Sequence, residues 1–251
     1  MADKHTSIRE TVLILGSAPD AEIPEADYAY CANASAYYYA DRLQSIPSVK
    51  CIVGAHIAAA IPESGANEDL KALRDRVISM SYSEIIVLDH SPWCSEWNLS
   101  AAMNDLCKCT SAAATLLTTN DRKKLLKRLA GMREPIFSAY LFEEAGNIRN
   151  AGRILNLLLF SYFKTSKETS PVLRPSTGLW SALVAMNNHG PDARYIMSGI
   201  SLSEKAGRLA HPDGMVPGRI DGLTHHLHAD RAVLDALKRN FLIQYNSPAG
   251  A

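Results

Sequence analysis

Short apolar runs alternate with amphipathic helical segments along most of this 251-residue chain, and no other property of the sequence restricts its fold as tightly. Strands are predicted at Thr11 to Leu15, Tyr28 to Cys31, Cys51 to Val53, Ile85 to Leu88, Tyr195 to Met197 and Phe241 to Gln244. Helical patterns lie between them at Asn67 to Ser79, Asp121 to Leu129, Gly178 to Asn187 and Ala229 to Lys238. Strands this apolar must be covered on both faces, and helices between them supply the cover. The expectation is an α/β fold, a single Rossmann-like, mostly parallel sheet flanked by helices. Ligands of such sheets sit beyond the carboxyl ends of the strands. No repeat, low-complexity tract or linker divides the chain, so residues 1–251 read as one domain. Residues 91–171 fit the alternation less well and read as a helical insertion or lid.

Composition narrows the function classes. Lys plus Arg balances Asp plus Glu at 26 each, so no overall field draws the chain to a nucleic acid. The five cysteines are odd in number and lack C-x-x-C spacing, and polar residues follow Met1, which together fit a reducing cytoplasm. Cys107-Lys-Cys109 has no second cysteine pair to complete a metal site, so free thiols are expected there. No run approaches the roughly 20 apolar residues that span a bilayer. The nearest is Ile154 to Phe163, followed by Lys164 and Lys167, which reads as a buried core helix. A lid or a peripheral membrane anchor is the alternative.

Four stretches carry candidate chemistry. After the first strand, Gly16-Ser-Ala-Pro-Asp20 offers small residues whose backbone N–H groups can approach an anion, backed by the dipole of any helix that follows. It has neither the G-x-G-x-x-G fingerprint nor a Walker lysine, and a plain tight turn is the other reading. Asn33, after the second strand, either contacts a base or sugar edge or caps the segment Ala34 to Arg42. Tyr37, Tyr38 and Tyr39 in that segment cannot share one helical face, so at least one packs in the core. Arg174-Pro-Ser-Thr-Gly178 places an arginine and two hydroxyls before a helix. That arrangement suits a carboxylate or phosphate, and Ser176 or Thr177 can also cap the helix.

The fourth stretch is His225-His-Leu-His-Ala-Asp230. His225 and His228 share a helical face, but a zinc site needs further ligands, and only His211 and Asp221 are near in sequence. A general base fits better, because Asp230, five residues after His225, is close enough to orient an imidazole. An exposed histidine cluster with Asp230 as a first-turn acid is the third reading.

Taken in order, these motifs resemble the bacterial sialyltransferases of glycosyltransferase family 42 and, more distantly, the animal sialyltransferases. In that family a strand runs into Gly-Asn-Gly-Pro-Ser, and Cys-Asn follows the second strand. Arg-x-Thr-Ser-Gly then opens a helix, a strand ends in Ser-Gly-Ile-Asp, and His-x-x-x-x-Asp or -Glu starts the last helix. This chain has Gly16-Ser-Ala-Pro-Asp20, Cys31-Ala-Asn33, Arg174-Pro-Ser-Thr-Gly178, Ser198-Gly-Ile-Ser201, and His225 with Asp230. The likeness covers roughly residues 11–53 and 174–245.

The resemblance implies a GT-A-like sialyltransferase fold with a lid and a metal-independent, inverting transfer of an acidic sugar from a CMP-activated donor. The acceptor would be a glycan or glycolipid of the lipopolysaccharide or capsule kind. No cofactor is implied, with the CMP-sugar as co-substrate, and membrane-peripheral or homo-oligomeric forms are compatible with it. His225 would be the general base, with Asp230 and Arg174 as further catalytic residues, Arg174 matching an arginine that contacts acceptor or donor. Gly16, Ser17, Ala18, Pro19, Asn33, His56, Ser176, Thr177, Gly178, Ser201 and His211 would line the donor.

The departures are Ser17 for Asn, Ala18 for the second Gly, the inserted Ala32 and Ser201 for Asp. The family's tyrosine pair has no counterpart among Leu202 to Arg208. A cation at Lys205, Arg208 or His211 would do the same electrostatic work on the departing phosphate. His56 stands near an expected donor-binding Asn. The rivals are a methyltransferase-like domain using Gly16 to Asp20 for S-adenosylmethionine, which leaves Arg174 and His225 idle, and an inactive nucleotide- or sugar-binding module.

Overall fold

The computed structural model describes residues 9–18, 20–59, 68–89, 99–143, 173–202 and 226–246. It also describes the backbone of four short strands between 208 and 224 and three isolated helical positions, 152, 155 and 159. Six strands come first in the chain: β1 (Thr11–Leu15), β2 (Tyr28–Ala32), β3 (Ser48–Gly54), β4 (Glu84–Leu88), β5 (Ala113–Leu117) and β6 (Arg194–Ser198). Two antiparallel ladders follow, β7 (Arg208–His211) with β8 (Gly214–Val216) and β9 (Arg219–Ile220) with β10 (Leu223–Thr224). The last strand is β11 (Leu242–Asn246). β1 to β6 and β11 form one seven-stranded sheet, every pair parallel, in the order β11-β6-β1-β2-β3-β4-β5.

Alternation within the strands feeds two cores. Val12, Ile14, Tyr30, Ile52, Ile86 and Leu88 belong to one, and Leu13, Leu15, Ala29, Cys31, Cys51, Val53, Ile85 and Val87 to the other. A fully buried Leu or Ile contributes about 1.5–3 kcal/mol, so slipping one strand by a residue would cost heavily on both faces. The second core is covered by the short helices α1 (Ser35–Tyr38), α2 (Ala40–Leu43) and α3 (Ala55–Ala58) together with α4 (Glu68–Ile78) and α5 (Leu99–Thr110). The first is covered by α6 (Thr119–Ala130), α8 (Thr177–His189) and α9 (Leu227–Leu237), with α7 (Ala139–Glu143) against α9. α8 is the central helix, buried from Gly178 to Met186, with Trp180 enclosed completely.

The expected fold class is therefore the observed one, with a correction in the middle. β5 lies within the stretch read as a helical insertion, and α5, β5 and α6 continue the strand–helix alternation. Ala113-Ala-Thr-Leu-Leu117 escaped notice because it is an edge strand, partly exposed along its length and poor in β-branched residues. Most of the run Ile154 to Phe163 lies outside the described residues. Leu155 and Leu159 are helical but 56% and 46% exposed, so these two are not the core positions expected of a buried helix. Among the described residues, no helix is long and apolar enough to cross a membrane.

Candidate functional site

The strand order reverses direction at β1, which has β2 on one side and β6 on the other. Crevices form at the carboxyl ends of strands flanking such a point. Here the exits of β1 and β6 are pressed together. Gly16 N donates to Ser198 O and Ala18 N to Gly199 O, both at 2.8 Å. A Cβ on Gly16 would lie 2.2 Å from Gly199 O, and Gly199 itself has φ +66°, so glycine is required at both positions.

This geometry corrects the expectation for the first loop. The N–H groups of Gly16 and Ala18 are spent on β6 rather than offered to an anion, and both residues are buried. Residues 20–27 contain no helix, so no dipole stands behind the loop. Ser17 is the half-buried residue of the turn. The loop is braced by Tyr39, whose hydroxyl donates to Ala18 O at 2.7 Å and accepts from Ala21 N at 3.1 Å. Tyr39 is thus the buried member of the tyrosine triplet, while Tyr37 is 45% exposed.

Asn33 follows β2 in the left-handed region, φ 52°, a conformation Asn tolerates. Its N–H donates to Ile52 O at 2.8 Å and its Oδ1 accepts from Gly54 N at 3.3 Å, so it ties the exit of β2 to that of β3. It does not cap α1, whose N-cap is Ala34 without a side-chain bond. His56, in the short helix that follows β3, is half-buried at the same edge.

The Arg174 to Gly178 stretch opens α8 as expected, with Ser176 as N-cap: its Oγ accepts from Leu179 N at 3.3 Å. The segment is held by α9 at two points. Asp230 Oδ1 accepts from Ser176 N at 2.8 Å, and His226 Nδ1 lies 2.8 Å from Arg174 O. His226 has φ 66° and is the N-cap residue of α9. Asp230 is buried in the first turn of α9, and burial pushes its carboxyl up to about 7 against opposing hydrogen bonds from Ser176. The imidazole that Asp230 is expected to orient, His225, lies outside the described residues; the described partner of Asp230 is Ser176.

Ile200 joins the two halves of the site. Its Cγ1 would be 3.2 Å from a Cβ on Gly178 and 2.8 Å from one on Gly16, so the β1 turn, the β6 exit and the start of α8 share one wall. Ser201, half-buried, continues that exit, and Arg231 of α9 donates to Leu202 O through Nε at 3.1 Å and Nη2 at 3.0 Å. Thr177 is the half-buried first residue of α8.

The structure therefore gathers Ser17, Asn33, His56, Arg174, Ser176, Thr177, Ser201 and Asp230 at the carboxyl edge of one sheet. His225 and Pro19 lie outside the described residues, and His211 is described only as the last residue of β7. Of the pair His225 and His228, only His228 is among the described residues: it is buried with Nδ1 3.2 Å from Ser138 Oγ, and the neighbouring His226 Nδ1 lies 2.8 Å from Arg174 O. No group of three or more His, Cys, Asp or Glu able to hold a metal occurs among the described residues.

Sequence reasoning missed Gly199, Tyr39 as loop brace and His226 as clasp. The only signals were Ser198-Gly-Ile after a strand, the crowded tyrosines and adjacency to His225. A cavity of 390 Å³ runs along β5 between α6 and α8, from Leu117 to Glu84 and Asn188, and contains none of the candidate residues. The candidate site is instead the carboxyl edge, where the sheet's crevice and the N-terminus of α8 coincide. Comparison with protein-family models, with curated proteins and with solved structures finds no match to this chain.

Proposed function

We propose that this chain is an inverting glycosyltransferase that moves an acidic sugar, sialic acid or a related keto-acid sugar, from a CMP-activated donor to a glycan hydroxyl. One observation carries the reading: Arg174, Ser176 and the N-terminus of α8 stand at the carboxyl edge beside the switch point, with α9 clasping them through His226 and Asp230. Ser176 is itself taken up by Asp230 and by Leu179 N, so the Arg174 side chain and the Thr177 hydroxyl at the start of α8 are the groups that suit a sugar carboxylate or a phosphate. Ser17 and the Asn33 amide stand at neighbouring strand exits, where a nucleotide would lie.

In this mechanism the acceptor oxygen attacks the anomeric carbon as His225 takes its proton. The bond from that carbon to the CMP phosphate oxygen breaks, and CMP departs with the electron pair. Attack from the face opposite the leaving group inverts the centre, through an oxocarbenium-like transition state. His225 directly precedes His226, whose ring is bonded to the Arg174 carbonyl, so base and anion contacts sit on adjoining stretches of chain. A cation at His211, Lys205 or Arg208 would offset charge on the departing phosphate.

The test is a thermal-shift titration with CMP, CDP, UMP, GDP and S-adenosylhomocysteine, with and without EDTA. A ligand that binds only the folded state raises the melting temperature with occupancy. Stabilisation by cytidine nucleotides alone, unchanged by EDTA, is the expected result. Stabilisation by S-adenosylhomocysteine would replace the proposal with a methyltransferase, and cytidine binding without turnover of any CMP-sugar would leave a binding module.

A further inference from the structure

A buried charged cluster lies beside the start of α8, and the proposed chemistry gives it no role. Arg122 Nη1 and Glu134 Oε1 are 3.9 Å apart with side chains only 5% and 6% exposed. That distance is too long for a hydrogen bond, and Glu134 Oε1 accepts none among the described residues. Arg122 lies over the ring of Trp180, 5.2 Å from its centroid, so its guanidinium packs on the first turn of α8. The backbone ties the cluster to the residue before Arg174: Ile136 N, two positions after Glu134, donates to Leu173 O at 2.8 Å. Burial raises the Glu134 carboxyl, and the charges opposing that rise are Arg122, then Arg174, then Lys123.

A carboxyl in this position stays charged only with cations at hand, and buried cations equally need a counter-charge. Arg122 is fixed by Trp180. Arg174 has its backbone carbonyl held by His226, while its half-buried side chain extends from the segment that opens α8. We infer that Glu134 is a positioning residue, the counter-charge shared by Arg122 and Arg174, which keeps the Arg174 guanidinium at the crevice edge where an anionic substrate group would meet it. The inference rests on the proposed function insofar as Arg174 is taken to contact that anionic group.

The experiment is a double-mutant cycle of wild type, E134Q, R174Q and E134Q/R174Q. Affinity for CMP-N-acetylneuraminic acid is measured by calorimetry and unfolding by urea. The expected result is that E134Q weakens the sugar nucleotide about tenfold in the wild-type background and less than about twofold when Arg174 is already Gln. An equal loss in both backgrounds would overturn the inference, even if the unfolding data show the pair to be coupled, because that pattern is a purely structural role. Should E134Q not fold, E134D replaces it: withdrawing the carboxylate by one methylene must also lose its effect in the R174Q background. If wild type does not bind the probe, the glycosyltransferase reading is what fails. Glu134 is then judged from urea alone, where a departure from additivity beyond about fivefold in the unfolding equilibrium sustains the pairing with Arg174 and additivity overturns it.

Discussion

The backbone amide of Ser176 donates to Asp230 Oδ1 across 2.8 Å, so the first turn of one helix is capped by an acid from the first turn of another. That contact joins α8 to α9 at the point where the candidate site opens. Its cost is a carboxyl with no access to solvent, held up to about 7 mainly by burial. The folded-state value lies above the unfolded one, so between pH ~4 and ~7 the native protein retains a proton that the unfolded chain has lost. Asp230 therefore contributes most below that window, and its contribution is lost as pH rises through it. Asp230→Asn keeps an acceptor for Ser176 N and removes the titration. Its unfolding free energy in urea, relative to wild type, should rise across pH 4–7 and then level off, by an amount of order a few kcal/mol at about 1.4 kcal/mol per pKa unit. A difference that stays flat over this range would show that Asp230 does not titrate there.

Gly16 and Gly199 should respond differently from Gly178, though all three line the same wall. A methyl group on Gly16 meets backbone atoms of Gly199 at 2.2 and 2.6 Å, on two hydrogen-bonded strand exits that cannot separate without breaking the sheet. Gly16→Ala should cost about 3 kcal/mol or more, and Gly199→Ala adds positive-φ strain to a 2.9 Å contact. On Gly178 the nearest atom is the Ile200 side chain at 3.2 Å, which can shift, and Ala gains about 1 kcal/mol of helix propensity. Urea denaturation of the three variants should rank Gly178→Ala nearest wild type, and a destabilised Gly178→Ala with normal Gly16→Ala would refute this packing.

Tyr39→Phe isolates the brace on the first loop. The substitution leaves the ring in place and removes the partner of Ala18 O and Ala21 N, both on residues only 2% exposed. Leaving two buried backbone groups unsatisfied costs about 1–3 kcal/mol each, which in a chain of this size lowers the melting temperature by about 2–4 °C per kcal/mol. Hydrogen exchange at Ala21 should accelerate more than at Val12 within β1. Equal acceleration at both would mean that the hydroxyl supports the whole sheet rather than the loop.

Strands such as Val12-Leu-Ile-Leu15 and Ile85-Ile-Val-Leu88 were legible because parallel strands buried on both faces read as unbroken apolar runs, and their helices carry amphipathic periodicity. β5 was not legible, since an edge strand exposed to solvent loses that signal. At the site, Ser176 could be read as a helix cap from its chemistry alone. The meaning of Gly16 could not, because the atom it makes room for belongs to Gly199, far along the chain. Glu134 was invisible for the same reason. A lone Glu before Pro resembles a solvated loop residue until the fold lays it beside Arg122.

The adjacent histidines His225 and His226 should separate kinetically. His226 is bonded through Nδ1 to the carbonyl of Arg174, so it fixes the segment that would hold the substrate's anionic group. Replacing it with Ala frees that segment, and with a CMP-sugar donor the expected result is a raised KM with a smaller change in kcat. His226→Asn, which tolerates the left-handed backbone found there, should recover more stability than His226→Ala. His225, as the proposed base, must be neutral to accept a proton from the acceptor, so activity should fall once the pH is low enough to protonate its imidazole. Loss of that base removes an interaction made only in the transition state. His225→Ala should lower kcat and kcat/KM together, by about 10²-fold or more, with KM little changed. Normal turnover in His225→Ala would sink the assignment of the base. A raised KM with intact kcat in that variant would instead place His225, like its neighbour, among the residues that hold the substrate.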